Sequence, residues 1–372
     1  MDIESVPALR AALADGAPLS QLRLQGLDLR GHKDIFDGRT DIEGLVVLGG
    51  QLGQGLARWL VRAGAVVFPP APHAPVDPYR GSLYQPRELY ARLDEAGYGA
   101  TPDALAYAWL RDPEHAHDTY AAVLRAIHDA AMDDALDDVI DDRAVVGIMG
   151  AHQWRRGSAQ FARAARLGHH LAQAGLLVIT GGGPGAMEAA NLGAYATDTD
   201  GLDAALIQLS TVPSYSPDLA AWARCAFEAA ALARPHGYDG PARSVGIPTW
   251  FYGHEPPNVF CDVIAKFFSN ALREEGLLAR ARNGVVVLPG AAGTVQEIFQ
   301  TVTPLFYAVP GEPLAPLVLV DRDHWTEQVP VWPAAQALAR GRDMEHAIHL
   351  VDDLDDAAAI VMPSPVAGRE AP

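Results

Sequence analysis

The sequence predicts an α/β protein built on a doubly wound parallel sheet, preceded by an N-terminal accessory α/β domain. After Arg143, short apolar runs alternate with longer segments of helical periodicity. Two of these runs end in glycine turns that lead into helices, and strand–helix alternation of this kind is typical of parallel sheets. Strands are expected at 144–149, 176–180, 204–209, 248–252, 284–289 and 316–320, and helices at 158–174, 184–195, 217–234, 258–278, 294–306 and 332–340.

The first 140 residues predict a separate, smaller domain. A helix is expected at 6–14, a strand or coil at 22–29, and a βαβ unit made of a strand at 44–50, a helix at 52–63 and a strand at 65–68. Two more helices are expected near 86–96 and 118–132. An acidic run at 133–142 indicates a solvated face or a linker and fits a domain boundary. The predicted domains are therefore 1–140 and 141–362, followed by a disordered Pro- and Ala-rich tail at 363–372.

Composition restricts the function classes. The chain has 372 residues and a net charge of −18, which argues against nonspecific binding to nucleic acid or to an anionic membrane. Its two cysteines, Cys225 and Cys261, lack the spacing of a metal site and predict a reducing cytoplasm. Neither a signal peptide nor a membrane-spanning run is expected. The two lysines, Lys33 and Lys266, lie away from the glycine turns, which disfavours a pyridoxal-phosphate enzyme.

The most informative segment is the glycine turn at 289–294. Four apolar residues precede Pro289 and Gly290, and Gly293 with Thr294 then opens a predicted helix that carries Glu297 in its first turn. Small residues and free N–H groups at a helix start are suited to anion binding. A carboxylate beside a bound anion suggests chemistry. The spacing of Thr294 and Glu297 also fits a capping box, so a purely structural role for both stays open.

A second turn of this kind follows the predicted strand at 176–180. It comprises Gly181, Gly182, Gly183 and Gly185, with Met187 just inside the next helix. It lacks the Gly-Lys-Ser/Thr of a P-loop, and the predicted strand at 204–209 carries no acidic residue for a nicotinamide ribose. A cradle for a single phosphate is the expected function, although a turn that only packs a helix on a strand is the alternative.

Together the two turns resemble the LOG family, the cytokinin riboside 5′-monophosphate phosphoribohydrolases often misnamed lysine decarboxylases. The second turn matches the PGGxGTxxE motif of that family except at Ala291, where the motif has glycine. Between the turns, Glu255-Pro256-Pro257-Asn258 is similar to the bacterial pyrimidine/purine nucleotide 5′-monophosphate nucleosidases. The resemblance covers roughly residues 144–340.

This resemblance implies a Rossmann-like fold of the LOG type and hydrolysis of a nucleoside 5′-monophosphate to free base and ribose 5-phosphate. Glu297 would be catalytic, assisted by an arginine for which Arg273 is favoured over Arg280 and Arg282. Glu188, Glu255 and Asn258 are further pocket candidates. The implied phosphate- and nucleotide-binding residues are Gly150, His152, Gly181, Gly182, Gly183, Gly185, Met187, Gly290, Ala291, Ala292, Gly293 and Thr294.

By the same resemblance, no metal or organic cofactor is implied, and the chain would form a homodimer or a larger homo-oligomer. Two other functions stay open. A catalytically silent nucleotide-binding regulator is compatible with the departure from the motif at Ala291 and with the open choice of the catalytic arginine. Such a protein would not need Glu297. A nicotinamide-dependent oxidoreductase is disfavoured by the weak glycine match at 181–186.

Overall fold

The computed structural model of the protein describes residues 1–53, 55–251 and 255–362. The chain forms two compact units, Met1–Leu83 with Ala108–Ala135 and Tyr84–Tyr107 with Leu136–Pro372. Residues 84–107, predicted as part of the N-terminal accessory domain, belong to the second unit. The predicted disordered tail at 363–372 lies outside the described residues.

The first unit contains a four-stranded parallel sheet in the order β1-β2-β3-β4. Ser5 caps its first helix, because its side chain accepts a hydrogen bond from the Ala8 N–H at 3.2 Å. Leu9, Leu24 and Leu60 are fully buried in its core. The elements that open the chain are β1 (Asp2–Ile3), α1 (Val6–Ala14), β2 (Arg23–Gln25), β3 (Val46–Leu48), α2 (Leu56–Arg62) and β4 (Val66–Phe68).

Five helices follow in the chain, and the last of them corrects one prediction. They are α3 (Pro86–Leu89), α4 (Leu93–Ala96), α5 (Pro102–Arg111), α6 (Pro113–Ala116) and α7 (Thr119–Ile140). Most of the acidic run at 133–142 lies in α7, so it forms a solvated helix face and not a linker, and the division between the two units falls within it. The helix continues through the run because Leu136 and Ile140 are buried between its aspartates.

The second unit is built on seven parallel strands in the order β11-β10-β9-β5-β6-β7-β8 among the described residues, which confirms the predicted doubly wound sheet. The strand order reverses beside β5, which pairs with both β6 and β9. Ligands of such sheets bind at this point, outside the carboxyl ends of the strands. The strands are β5 (Val145–Met149), β6 (Leu177–Thr180), β7 (Ser244–Gly246), β8 (Val263–Ile264), β9 (Val285–Val287), β10 (Leu317–Val320) and β11 (Ile348–Val351).

Helices connect these strands, and both β5 and β6 are buried along their whole length, as expected of a parallel sheet covered on both faces. The helices are α8 (Ala159–Gln173), α9 (Ala186–Tyr195), α10 (Thr199–Ser210), α11 (Leu219–Ala233), α12 (Asn270–Arg280), α13 (Ala292–Tyr307), α14 (Trp332–Ala339) and α15 (Leu354–Val361). No helix in the described ranges is long and apolar enough to cross a membrane.

Three predicted elements of this unit are wrong. The segment 204–209 is part of α10, which Asp198 caps through the Gly201 N–H. Of the strand predicted at 248–252, residue 252 lies outside the described residues; in the rest, Thr249 forms only an isolated bridge with Phe267, and the strand of this region is β7, a few residues earlier. The predicted helix at 258–278 begins only at α12, since residues before the capping Ser269 form β8 and extended buried chain.

Candidate functional site

The first glycine turn follows β6 and needs its glycines for different reasons. Gly182 has a φ of +69°, and a β carbon there would lie 2.7 Å from Pro248 Cδ. Gly185 has a φ of +79°, and its β carbon would lie 2.5 Å from the carbonyl oxygens of Ala151 and His152. Backbone packing therefore requires these two glycines, whereas Gly181 and Gly183 line an open cavity.

The second glycine turn leads from β9 into α13, which begins two residues before Thr294. Ala291 is the N-cap residue, with a φ of −117°, and no side chain caps this helix end. The predicted capping role of Thr294 with Glu297 is therefore wrong. The backbone at position 291 also does not require glycine, because the φ of Ala291 is not in the left-handed region. The amides of Ala292, Gly293 and Thr294 begin the helix and have no acceptor within it.

The two turns come together at the carboxyl edge of the sheet, where they line one cavity. Gly150, at the end of β5, and His152 complete this edge. Gly150 has a φ of +88°, and a β carbon there would lie 2.3 Å from the Leu288 carbonyl oxygen. The cavity is lined by Gly150, His152, Gly181, Gly183, Met187, Pro248, Thr249, Glu255, Arg273, Glu274, Gly293, Thr294 and Glu297.

An arginine–glutamate pair lies in this cavity. Arg273 Nη1, from α12, is 3.3 Å from Glu297 Oε1 on α13, and the two side chains are only 9% and 13% exposed. The guanidinium also borders the first turn, since a β carbon on Gly181 would lie 3.5 Å from Arg273 Nη1. Arg273 thus touches the carboxylate on one side and the glycine turn on the other.

Burial raises the pKa of Glu297 to about 7. The Arg273 guanidinium lowers this pKa and so opposes the effect of burial, while the negative charges of Glu274 and Glu255 raise it further. A carboxyl group with a pKa near neutrality can change its protonation state under physiological conditions. Such perturbed groups in clefts are candidates for catalysis.

Glu274 and its hydrogen-bond partners fix the position of the Arg273 side chain. Its Oε1 accepts hydrogen bonds from Asn270 Nδ2 at 2.7 Å and from Arg273 Nη2 at 3.4 Å, and its Oε2 accepts one from Gln296 Nε2 at 2.6 Å. Arg273 Nη2 also donates to Asn270 Oδ1 at 2.8 Å. Among the described residues, the buried Nε of Arg273 has no hydrogen-bond partner. The guanidinium is therefore fixed in place while part of its donor capacity stays unused.

Three glutamates, Glu255, Glu274 and Glu297, line the cavity together with Arg273. A β carbon on Gly183 would lie 3.4 Å from Glu255 Oε2, which places this carboxylate beside the first turn. Among the residues described, no group of three or more His, Cys, Asp or Glu side chains is arranged to hold a metal ion. Within the cavity lining, positive charge is concentrated on Arg273 and at the helix start of α13.

Glu188, a predicted pocket residue, does not line the cavity. It is 1% exposed and forms a buried ion pair with Arg156, whose Nε lies 3.1 Å from both carboxylate oxygens. The same guanidinium lies 4.1 Å from the centre of the Trp222 ring. Burial raises the pKa of Glu188, and Arg156 opposes that change. This carboxylate is structural.

Asn258 supports the first turn from outside the cavity. Its backbone N–H donates to the Gly182 carbonyl at 2.8 Å, and its side-chain Nδ2 donates to the Gly183 carbonyl at 3.2 Å. Asn191 is buried beside it, with its Oδ1 accepting from Asn258 Nδ2 at 3.0 Å. Arg280, one of the alternative arginines, donates instead to Asp137 and to the Gly276 carbonyl.

Several cavity residues had no sequence signal. Pro248 and Thr249 lie just after β7, within the segment wrongly predicted as a strand, and Glu274 follows Arg273 directly. His324 lies after β10 and contacts the second turn, with its Nε2 2.9 Å from the Gly290 carbonyl oxygen. A search for histidines placed just after predicted strand ends could have found His324, but not its partner.

Comparison with known proteins supports the relationship that the motifs implied. Residues 143–207 match the SLOG cluster4 family, which confirms the resemblance to LOG-type proteins over this segment. A comparison with curated proteins gave no match.

Solved structures of two molybdenum cofactor proteins also match. The molybdenum cofactor binding protein of the phototrophic bacterium Rippkaea orientalis is 14% identical, with a TM-score of 0.35, over 59% of this chain and 96% of that one. The molybdenum cofactor carrier protein of Chlamydomonas reinhardtii is 18% identical, with a TM-score of 0.34, over 59% of this chain and 96% of that one.

Proposed function

We propose that this protein hydrolyses the N-glycosidic bond of a nucleoside 5′-monophosphate, releasing the free base and ribose 5-phosphate. The observation that carries this proposal is the buried pair of Arg273 and Glu297 in a cavity bordered by both glycine turns. Glycine turns and a helix start supply N–H groups for a phosphate. A carboxyl group with a pKa of about 7 supplies a proton acceptor beside it.

In the proposed reaction the bond between C1′ and the base nitrogen breaks, and its electron pair leaves with the base. Positive charge then develops on C1′ and the ring oxygen, as in glycoside cleavage, and the Glu297 carboxylate stabilises it. A water oxygen forms the new bond to C1′ and gives a proton to Glu297. Glu297 then releases this proton to solvent while the departing base takes up one proton from solvent, so that the products are neutral base and ribose 5-phosphate.

The residues around the pair have distinct proposed roles. The amides of Gly293 and Thr294, with the Thr294 hydroxyl and the turn at Gly181 and Gly183, hold the 5′-phosphate. Arg273 borders the first turn at Gly181 and can donate to the same phosphate or to the leaving base. His152, in the turn that follows β5, is placed to contact the phosphate or the ribose.

Chromatography of reaction products tests the proposal. Purified protein is incubated with AMP, GMP, IMP, CMP, UMP and an N6-prenylated AMP, and free base and ribose 5-phosphate are quantified. At least one substrate should be cleaved, and the Glu297→Gln variant should lose about 100-fold or more of the rate. Glu275→Gln, an exposed glutamate on α12, is the matched control and should keep full activity.

The same assay separates hydrolysis from nucleotide binding alone. If nucleotides bind without being cleaved, the chain is a regulator and Glu297 has no role in hydrolysis. Two features that favoured a regulator in the sequence have structural explanations, because Ala291 needs no left-handed φ and Arg273 is buried beside Glu297.

We further propose a cytoplasmic homo-oligomer. Light scattering coupled to gel filtration tests the assembly, and a monomer would contradict it.

A further inference from the structure

His324 contacts the backbone of the second glycine turn, although it comes from a different strand end. It begins a short π-helical segment, His324–Gln328, shortly after β10. Its Nε2 lies 2.9 Å from the Gly290 carbonyl oxygen and 3.2 Å from the Gly290 nitrogen. One ring nitrogen therefore faces both polar atoms of a single residue of the turn.

The histidine ring is itself fixed. Its backbone N–H donates to Asp321 Oδ1 at 3.0 Å, and its Nδ1 lies 3.4 Å from Gln328 Oε1. The ring also meets Trp325 edge-on, with the two centroids 4.5 Å apart. If Nδ1 carries the proton, Nε2 accepts from the Gly290 N–H; if Nε2 carries it, the ring donates to the Gly290 carbonyl. Either tautomer holds the same residue.

Gly290 needs such a restraint. A β carbon there would lie 2.2 Å from Thr294 Oγ1, so only glycine leaves room for the buried Thr294 side chain. Glycine is also the residue with the greatest backbone freedom. Backbone amides bind anions well only when their directions are fixed beforehand. The turn thus combines a flexible residue with a function that requires rigidity.

We propose that His324 is a positioning residue that braces Gly290 and thereby fixes the amides of Ala292, Gly293 and Thr294 for a phosphate group. This inference rests on the proposed function, since that function places the substrate phosphate at these amides. His324 itself is not assigned contact with the substrate. Its effect is transmitted through the Gly290 peptide to the start of α13.

Hydrogen exchange tests the bracing without any substrate. In the full-length His324→Ala variant, the hydrogen-bonded amides of Gly290 and Val295 should exchange about fivefold faster than in the wild type, as expected for the loss of one hydrogen bond. The His324→Gln variant, which keeps a donor and an acceptor, should restore slow exchange. His346→Ala, at an exposed histidine of the same unit, is the control. Unchanged exchange in His324→Ala would overturn the proposal.

Binding and kinetics then test the positioning. Calorimetry with inorganic phosphate and with ribose 5-phosphate should give an affinity about five- to tenfold weaker for His324→Ala. KM for the nucleotide should rise by a similar factor while kcat changes less than about twofold, since phosphate binding is equal in ground and transition states. A purely structural loss would lower the amount of folded protein and leave KM unchanged.

The outcomes separate the two proposals. Faster exchange with unchanged phosphate affinity would make His324 a structural brace alone and would leave the proposed hydrolysis standing. If the wild type binds neither phosphate nor ribose 5-phosphate and cleaves no nucleotide, the proposed function fails and the positioning role fails with it. Faster exchange, weaker binding and rescue by His324→Gln together support the proposal.

Discussion

The Glu297→Gln variant should gain stability relative to the wild type as the pH rises. The pKa of Glu297 is about 7 in the folded protein, against an ordinary value of 4.5. The difference between these values corresponds to about 3.4 kcal/mol. Below pH 4.5 both states hold the proton, so Glu297 costs nothing. Between the two pKa values only the unfolded state ionises, and stability therefore falls. Above about pH 7 the burial of Glu297 lowers the free energy of unfolding by the full amount of about 3.4 kcal/mol.

The change with pH isolates this cost from other effects of the substitution. Glutamine also removes the ion pair with Arg273, but the attraction of Arg273 is already included in the Glu297 pKa of about 7 and adds no further pH dependence. Relative to the wild type, the variant should gain about 1.4 kcal/mol in free energy of unfolding between pH 6 and pH 8.5. Urea unfolding followed by tryptophan fluorescence measures this difference, because Trp222, Trp250 and Trp325 are buried in the second unit.

A parallel pH dependence of the wild type and the variant would refute the reasoning. It would mean that Glu297 ionises in the folded protein as it does in water. The Glu275→Gln variant provides the baseline, since an exposed glutamate should follow the wild type at every pH. If the Glu297→Gln variant became less stable relative to the wild type as the pH rises, this would also contradict the upward shift of the Glu297 pKa.

Three further predictions concern the site and its support. The value of kcat/KM should rise with pH toward an apparent pKa near 7, and Arg273→Gln should move that pKa upward; a flat profile from about pH 5.5 to 8.5 would contradict the catalytic carboxylate. Gly182→Ala should lower the free energy of unfolding by about 1–3 kcal/mol, because its β carbon would lie 2.7 Å from Pro248 Cδ at a φ of +69°. A β carbon at Gly293 meets nothing within 4 Å, so Gly293→Ala should melt like the wild type. Equal melting temperatures of the two variants would argue against the turn geometry. Arg156→Met should lower the free energy of unfolding by about 3–5 kcal/mol, because it leaves the buried Glu188 carboxylate unpaired. Chemical denaturation of the double variant Arg156→Met/Glu188→Met should show that much of this loss is recovered. An Arg156→Met variant as stable as the wild type would show that the pair does not stabilise the fold.

The sequence was sufficient for the elements whose signals are local. The helix at 6–14 matches α1 because Ser5 and Pro7 mark its start, and the strands near 145, 177, 285 and 317 are short apolar runs followed by turns or helices. The segment 204–209 was assigned wrongly, because a short apolar run does not distinguish a strand from a buried helix. The Asp198 cap was the local signal that would have corrected this assignment.

The site was predictable where its geometry follows from sheet topology, and unpredictable where it depends on distant partners. Parallel strands present their carboxyl ends at one edge, so the meeting of the turns at Gly181 and Gly293 follows from the alternation of elements. The burial of Glu188 depends on Arg156, which lies 32 residues away on a loop. His324 approaches Gly290 across 34 residues. Contacts of this range leave no periodic trace in a single sequence.

The position at which α13 begins decides between the two roles that the sequence left open for Glu297. Had Thr294 been the N-cap, Glu297 would have pointed back to cap the helix, with its oxygens bound to the backbone. Because the helix begins at Ala292, Glu297 lies in the second turn and its carboxylate extends toward Arg273. The helix start is thus left without a side-chain cap, and its amides are open to an external anion. A shift of the N-cap by three residues, from Thr294 to Ala291, therefore provides both the anion site and a carboxylate that pairs with Arg273 and not with the backbone.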